Sequence, residues 1–283
     1  MSSESQSSEI TIPELSIAPS RSWHDLNLTE LWHSRELLYF FVWKDVKVRY
    51  KQTAIGAAWV ILQPLLTMLI FTLFFGRLAK MPSGGLPYPL FYYCALLPWL
   101  YFASSLQNAT NVIVEQQRVI TKVYFPRLVL PLSAVTSPLL DFGIGFSILV
   151  LMLIHYRVHP TLTLLALPLF LAFAFLTALG VGLFLSAMNA MYRDVRYVVP
   201  FVVQFWMFLS PVVYPSSLVP ARWRWLYGLN PMAGIIEGFR WALTGSGEPP
   251  SALLCASAVA VVVLVVIGTM YFQKMEGIIA DVV

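Results

Sequence analysis

The sequence predicts an all-α membrane protein with six transmembrane helices. Hydrophobic residues make up 58% of the chain and charged residues 11%, whereas soluble domains average roughly 45–50% and 25%. Six long apolar stretches follow one another, and five of them hold no charged residue. A helix of ~20 residues crosses a hydrocarbon layer of ~30 Å. The predicted spans are Ile55–Phe75, Leu90–Thr110, Val129–Ile154, Leu162–Met188, Val198–Tyr214 and Ala252–Phe272.

The distribution of Lys and Arg sets the predicted orientation. With the N-terminus in the cytosol, 12 of these cations fall on the inner side and 6 on the outer side. The positive-inside rule favours this arrangement, which places both termini in the cytosol. Residues 1–20 are rich in Ser and Glu and hold no apolar core, and we predict a disordered cytosolic tail over residues 1–30. Residues 31–283 then form one six-span domain.

The segment before the first span predicts an amphipathic helix. Tyr39, Trp43, Val46 and Tyr50 follow the helical spacing i, i+4, i+7, i+11, and Lys47 lies on the adjacent charged face. The same stretch alternates as a strand would, but an open strand edge beside lipid is costly. We therefore expect a helix in the cytosolic membrane interface, with its aromatic rings among the headgroups.

The connection Pro215–Ser251 predicts a second short helix, on the outer side. Asn230 is a suitable N-cap, Pro231 suits the first helical position, and Gly245 suits a left-handed stop. An apolar stripe at helical spacing fills the residues between them. A helix over 231–244 measures ~21 Å, which is too short to span, so it is predicted to be re-entrant or interfacial.

Few charged residues lie in or beside the apolar parts. Asp141 is the one charge well inside a predicted span, which makes it a candidate functional residue. The alternative is a structural polar contact between helices, satisfied by Thr136 or Ser147. On the predicted outer helix, Glu237 and Arg240 lie three residues apart and are spaced to pair.

Catalytic, phosphate-binding and metal-binding motifs are absent from the sequence. We find no GxxxxGK[ST], HExxH, GxSxG or CxxC pattern, and the four His and two Cys lack ligand spacing. The chain is therefore predicted to be neither an enzyme nor a metalloprotein, and to carry no cofactor of its own. If ATP drives its activity, a separate subunit must bind the nucleotide.

The loop between the second and third spans, residues 111–128, mixes cations with aromatic residues. One hypothesis is a docking surface for a cytosolic partner, and the other is an ordinary positive-inside loop. Aromatic residues make up 14% of the whole chain. They are typical of interfacial belts, or alternatively of a lining on which sugar rings stack.

Six motifs in a fixed order resemble one known family. They are Trp43-Lys44-Asp45-Val46-Lys47-Val48-Arg49-Tyr50, Leu62-Gln63-Pro64, Lys122-Val123-Tyr124-Phe125-Pro126-Arg127, Tyr192-Arg193-Asp194-Val195, Ser210-Pro211-Val212-Val213-Tyr214-Pro215 and Leu229-Asn230-Pro231-Met232. Together they resemble the permease subunit of ABC-2 exporters for polysaccharides and polyol phosphates, the group of O-antigen, capsule and teichoic-acid exporters. The resemblance runs from about residue 35 to 273.

The resemblance implies a homodimeric channel in the bacterial cytoplasmic membrane, with two separate ATPase subunits that bind ATP and Mg. The cargo would be a lipid-linked glycan, and the scarcity of charges along the spans suits a neutral sugar chain. The coupling residues would be Arg118, Lys122, Tyr124, Phe125, Pro126 and Arg127. An outer gate within 210–250 would include Ser210, Pro211, Tyr214, Pro215, Asn230, Pro231, Glu237 and Arg240.

Two alternatives remain at this point. The first is an exporter of a drug, lipid or other small molecule from the same superfamily. The second is a membrane-embedded enzyme that acts on lipid-linked sugars, which requires clustered ionisable groups. Asp141, Asp194 and Glu237 fall in separate spans or loops, which disfavours the enzyme.

Overall fold

The computed structural model describes residues 28–51, 56–158, 161–245 and 251–282, and every regular element in these ranges is helical. The prediction of an all-α protein is confirmed. The helices are α1 Leu28–His33, α2 Arg35–Lys51, α3 Gly56–Phe71, α4 Tyr88–Glu115, α5 Gln117–Ile120, α6 Val129–Thr136, α7 Leu139–His155, α8 Leu167–Met191, α9 Val195–Leu209, α10 Arg224–Tyr227, α11 Pro231–Thr244 and α12 Ser251–Val282. Of the predicted tail, residues 1–27 lie outside the described residues, and 28–30 begin α1.

Four helical segments of the described chain are long and apolar enough to cross a membrane. They are Ala58–Leu78, Val129–His155, Leu162–Met191 and Ala252–Ile278. Helix α9 is apolar but has only 15 residues, and α4 has 28 residues but a more polar composition. The count of six spans therefore remains a prediction.

Helix α4 is the central helix, which explains its polar composition. It packs against α3, α6, α7, α8, α9 and α11, so protein surrounds much of its length. The Tyr93 hydroxyl donates to the Gly145 carbonyl at 3.1 Å, and the Tyr101 hydroxyl donates to the Val135 carbonyl at 3.2 Å. Because a buried polar group needs a partner where no water reaches, these side chains suit a helix enclosed by neighbours.

The third predicted span is two helices rather than one. Helix α6 ends at Thr136 and α7 begins at Leu139, with Ser137 and Pro138 between them. Proline has no N–H to donate and its ring crowds the preceding turn, so the helical hydrogen bonds are interrupted here, while Ser137 and Pro138 keep right-handed helical dihedral angles. The break places Asp141 in the first turn of α7, where the helix dipole favours a negative charge.

Other boundaries also differ from the predicted ones. Helix α3 continues as a π-helical segment, Thr72–Leu78, past the predicted end at Phe75. Helix α9 ends at Leu209 instead of Tyr214, because Pro211 disfavours helical geometry at Ser210. Ser210 has φ −105° and ψ 154°, which is extended backbone.

Helices α8 and α12 form the most extensive helix pair and meet at two glycines. A Cβ on Gly180 would lie 2.8 Å from the backbone of Leu264, and a Cβ on Gly268 would meet the backbone of Gly180. Small residues let helix backbones approach closely where lipid supplies little hydrophobic driving force. The pair is therefore closed by backbone contact at these positions.

Replacing Gly268 with Ala should force α8 and α12 apart. We expect a loss of about 1–3 kcal/mol of stability, the usual range for overpacking a close interface. Gly143→Ala is the matched control, since a Cβ there meets no atom within 4 Å. Thermal unfolding of both variants in detergent is the measurement, and equal melting temperatures would contradict the close contact.

Candidate functional site

The predicted site residues gather at the two ends of α4. At one end lie α2, the loop 116–128 and the C-terminal part of α12, which we call the α2 end. At the other end lie α11 and the connection from α9, which we call the α11 end. The predicted coupling residues and interface helix share the α2 end, and the predicted outer gate residues share the α11 end.

The loop at the α2 end presents some of its predicted residues and buries others. Tyr124 is 80% exposed, and Lys122 is also exposed, as a docking surface requires. Phe125 is only 9% exposed, and its ring centroid lies 5.9 Å from that of Phe41 on α2. Phe125 therefore does not belong to an exposed docking surface, because its ring packs between the loop and α2.

Arg127 joins the same loop to α12. Its backbone N–H donates to Glu276 Oε1 at 3.4 Å, and its guanidinium donates to the Glu276 carbonyl. The Pro126 carbonyl accepts from the N–H of Val129 at 3.1 Å, at the start of α6. Arg118 is exposed on α5. The loop is therefore held to two neighbouring elements, with Tyr124 and Lys122 facing outward.

Helix α2 forms where the interface helix was predicted, and the prediction of helix over strand is confirmed. Tyr39, Trp43 and Lys47 are exposed, while Tyr50 turns inward and is half-buried. The face that packs against the protein is formed by Phe41, which the spacing analysis did not select.

Sequence reasoning missed a polar cluster between α2 and the end of α4. Lys44 Nζ donates to Gln116 Oε1 at 2.8 Å. Burial raises the pKa of the Asp45 carboxyl, which nearby Lys44 partly offsets. Burial and the Asp45 charge raise the pKa of the Glu115 carboxyl, which lies beyond the predicted second span. Only the opposite charges spaced along α2 could have signalled this cluster in the sequence.

Asp141 binds α2. One carboxylate oxygen pairs with the Arg49 guanidinium and the other accepts from the Tyr50 hydroxyl. The Asp141 side chain is 23% exposed and that of Arg49 is 30% exposed. We call these three residues the latch, because they fasten the end of α2 to the first turn of α7. Burial, and then the hydrogen bond to Asp141, raise the pKa of the Tyr50 hydroxyl.

The predicted structural partners of Asp141 were wrong. The Thr136 hydroxyl donates to the Leu132 carbonyl at 2.7 Å, and the Ser147 hydroxyl donates to the Gly143 carbonyl at 3.0 Å. Helical Ser and Thr commonly bond the carbonyl four residues back, which takes up their donor. The charge is satisfied by a partner from a different element, as an ionisable group at this depth requires.

A cavity of about 530 Å³ opens beside the latch, between α3, α4 and α7. Its polar lining includes Gln63 of α3 and Ser104, Gln107 and Asn108 of α4. Ser104, Gln107 and Asn108 were not predicted, because the second span was treated as an apolar stretch. Two adjacent amides, Gln107-Asn108, within a predicted span were the available signal.

Asn230 connects three elements at the α11 end. Its side-chain oxygen accepts from the Met232 N–H at 3.1 Å, which caps α11 as predicted, and from Trp206 Nε1 at 2.9 Å. Its amide donates to the Leu209 carbonyl at 3.2 Å and to Ser210 Oγ at 2.9 Å. One side chain thereby fixes the end of α9 against the start of α11. Pro231 begins α11, and Gly245 ends it at φ +60°, both as predicted.

Glu237 and Arg240 pair at 3.0 Å, which confirms their predicted pairing. Arg240 is only 6% exposed, so α11 is buried on this face as well as along its apolar stripe. Its second terminal nitrogen donates to the Pro211 carbonyl at 2.9 Å, and its guanidinium carbon lies 3.8 Å from the centre of the Phe91 ring. Glu237 also accepts from the Ser216 N–H at 2.8 Å. The pair holds both sides of the Pro211–Ser216 turn.

The remaining predicted gate residues lie in the same turn. The Tyr214 hydroxyl donates to the Phe208 carbonyl at 3.2 Å, and the Tyr227 hydroxyl lies 3.4 Å from the Tyr214 hydroxyl. The Pro215 carbonyl accepts from the Leu218 N–H at 3.2 Å. Ser210 Oγ donates to the Trp206 carbonyl at 3.0 Å. The structure thus brings the predicted gate residues together around Asn230 and Arg240.

Comparison with known proteins identifies the family. The profile described as ABC-2 type transporter matches residues 36–244. The O-antigen export system permease protein RfbA of Myxococcus xanthus is 29% identical over 87% of this chain and 95% of its own length. The protein of the same name from Klebsiella pneumoniae is 28% identical over the same shares. The polysialic acid transport protein KpsM of Escherichia coli is 24% identical over 71% of this chain and 78% of its own.

The chain therefore belongs to the ABC-2 type transporter family, and the resemblance found in the sequence is confirmed. It is a permease, a transport subunit and not an enzyme, and a multi-pass protein of the inner membrane. Membership in this family implies an ABC-type ATPase as partner.

Breaking the latch should loosen α2 from α7. Asp141→Asn and Arg49→Gln should each lower the free energy of unfolding by about 1–2 kcal/mol, less than a fully buried pair would lose. Because the two groups contact each other, the double variant should lose less than the two single losses together. Unfolding in detergent provides the double-mutant cycle, with exposed Arg77→Gln as control. Strictly additive losses would contradict the pairing.

Arg240→Lys should destabilise the α11 end despite keeping the charge. An ammonium cannot lie flat on Phe91 while it donates to both Glu237 and the Pro211 carbonyl, as the planar guanidinium does. We expect a loss of about 2–4 kcal/mol, measured by thermal unfolding. Arg222→Lys, at an exposed arginine 5.6 Å from the Trp223 ring, is the control and should change little. Equal melting of the two variants would refute this role for Arg240.

Proposed function

We propose that this chain is the permease of an ATP-driven exporter that moves a lipid-linked polysaccharide, such as an O-antigen, across the cytoplasmic membrane. The observation that carries the proposal is its likeness to O-antigen export permeases over 87% of this chain and 95% of theirs. The similarity to a polysialic acid transport protein supports the same class of cargo, a polysaccharide. The names of these relatives favour a glycan over a drug or other small molecule.

The proposed assembly is a homodimer of this chain with two copies of an ABC-type ATPase. The partner would bind ATP and Mg, since this sequence has no phosphate-binding loop of its own. The α2 end would face the cytosol with both termini, because it carries the excess of Lys and Arg. The α11 end would then face the outside.

The coupling surface we propose is Tyr124 with Lys122 and Arg118, the three exposed predicted coupling residues. Phe125 and Arg127 would act one step behind them, since Phe125 packs on α2 and Arg127 bonds α12. A displacement of the loop by the ATPase would be transmitted to α2 through the Phe125–Phe41 contact. The latch would transmit it from α2 to α7.

The outer gate we propose is the turn Ser210–Pro215, held by Asn230, Glu237 and Arg240 against α11. Opening such a gate requires this turn to move relative to α11. The hydrogen bonds to Leu209 and Ser210 from Asn230, and to Pro211 from Arg240, are those that the movement must break or carry along. These hydrogen bonds would hold the turn against α11 and would keep the gate closed in the resting state.

The direct test reconstitutes the chain with its ATPase. We would measure ATP hydrolysis in lipid nanodiscs, with and without a lipid-linked O-antigen, and transfer of the glycan into the lumen of proteoliposomes. Hydrolysis that rises with the glycan, together with transfer that requires ATP, supports the proposal. A complex that hydrolyses ATP at one rate with any glycan, and transfers none, would overturn it.

Tyr124→Ala should weaken ATPase docking while leaving the permease folded. The exposed ring has few contacts to lose within the chain, whereas interface aromatic residues often contribute 2 kcal/mol or more to binding, so we expect affinity to fall about tenfold or more. Trp225→Ala, an exposed aromatic at the α11 end, is the matched control. Binding of the ATPase to immobilised permease is the measurement. If the Tyr124 variant binds the ATPase with undiminished affinity, the loop is not part of the ATPase-binding surface.

A further inference from the structure

The cavity between α3, α4 and α7 has a neutral polar lining that the coupling role does not use. Its volume of about 530 Å³ lies within the ~300–1,000 Å³ range of ligand sites. The charged residues in its lining are Arg49 and Asp141, which pair with each other. The other polar residues there are neutral: Gln63, Tyr101, Ser104, Gln107 and Asn108.

The three amides in this lining have unused hydrogen-bonding capacity. Gln63 and Gln107 accept through their backbone carbonyls, from Thr67 at 2.9 Å and from Asn111 at 3.0 Å. Within the described part of the chain, no protein donor or acceptor meets the side-chain amides of Gln63, Gln107 or Asn108. Each amide both donates and accepts, which is the capacity that neighbouring hydroxyl groups of a sugar require.

An aromatic ring stands beside these amides. Trp59 of α3 lines the cavity and is 52% exposed, so much of its ring is open to a ligand. The C–H faces of sugar rings pack on such aromatic surfaces, and the indole N–H adds a polar handle. Neutral amides next to an open indole favour a hydroxylated ring at this part of the lining.

The lining changes character along the helices. On α4, Gln107 and Asn108 lie toward the α2 end, and Leu97 and Leu100 lie toward the middle of the helix. On α7, Asp141 lies toward the α2 end, and Phe142 and Gly145 follow it inward. A ligand that fits this gradient has a hydroxylated part at the membrane surface and a hydrocarbon part directed into the bilayer.

We infer that this cavity binds the lipid-proximal sugar of a lipid-linked glycan, with its hydrocarbon chain against Leu97, Leu100 and Phe142. This inference rests on the proposed export function and adds a binding site inside a single chain. Trp59 stacks on the sugar ring, and Gln63, Gln107 and Asn108 bond its hydroxyls. Since Arg49 and Asp141 border the same cavity, an occupied site contacts the latch directly.

Thiol protection tests the site in the full complex with its ATPase in phospholipid nanodiscs. Ser104→Cys places a reactive group in the lining, in a background where exposed Cys255 is replaced by Ser and buried Cys94 is kept. The probe is a synthetic polyprenyl-diphosphate-linked oligosaccharide. The comparison probes are the same polyprenyl diphosphate without sugar and the free oligosaccharide. The readout is the rate of modification by a small maleimide.

We expect saturating glycolipid to slow the modification roughly tenfold, since binding leaves about a tenth of the sites open. The sugar-free lipid and the free sugar should protect much less. Ser217→Cys, on an exposed turn at the α11 end, is the matched control and should react at one rate throughout. Adding Gln107→Met and Asn108→Leu, of similar size but without the amides, should raise the half-protecting glycolipid concentration about tenfold, the equivalent of ~1.4 kcal/mol.

ATP hydrolysis of the same samples separates this inference from the export function. If hydrolysis responds to the glycolipid but the thiol is not protected, the proposed site is refuted and the export function remains supported. Equal protection by the sugar-free lipid overturns the sugar assignment. Protection without any glycan-dependent hydrolysis or transfer keeps the site and overturns the exporter. Loss of both responses overturns both.

Discussion

The rest of the structure depends on the burial of α4. Its tyrosine, serine and amide side chains would be costly in lipid, where no water satisfies them. Six neighbouring helices enclose it, and two of them provide carbonyls to its tyrosine hydroxyls, those of Gly145 and Val135. The outer helices can then be plain apolar segments, because α4 concentrates the polar groups inside the protein. A central polar helix also gives an internal cavity a lining that lipid-facing helices could not provide.

The same constraint accounts for the connections at the two ends. Where α4 reaches the α2 end, Asp141 is balanced by Arg49 and Tyr50 instead of being left in a low-dielectric region. At the α11 end, Arg240 is almost completely buried and is stabilised by Glu237, the Pro211 carbonyl and the Phe91 ring together. Each buried charge ties together segments that are distant in sequence. The ion pairs therefore connect these segments, whatever their net contribution to stability.

The features that sequence predicted well are those that local chemistry determines. Helix α11 begins and ends where Asn230, Pro231 and Gly245 predict, since a cap, a fixed φ and a left-handed residue act within one turn. Features that depend on packing between distant segments were not predictable. Residues 49 and 141 meet across 92 positions, so spacing could not name the partner of Asp141. Phe125 is aromatic and directly follows the exposed Tyr124, and only the position of Phe41 makes it an internal residue.

The latch gives the proposed cavity a physical connection to the proposed coupling surface. Helix α2 contacts the coupling loop through Phe41, the end of α4 through Lys44, and α7 through Arg49 and Tyr50. A displacement of α2 therefore cannot occur without a change in at least one of these contacts, and one of them borders the cavity. Linkage is reciprocal, so a ligand that alters the latch must also alter the position that α2 offers to the ATPase. On this geometry, ligand binding in the proposed cavity and docking of the ATPase on the proposed coupling surface both depend on the position of α2.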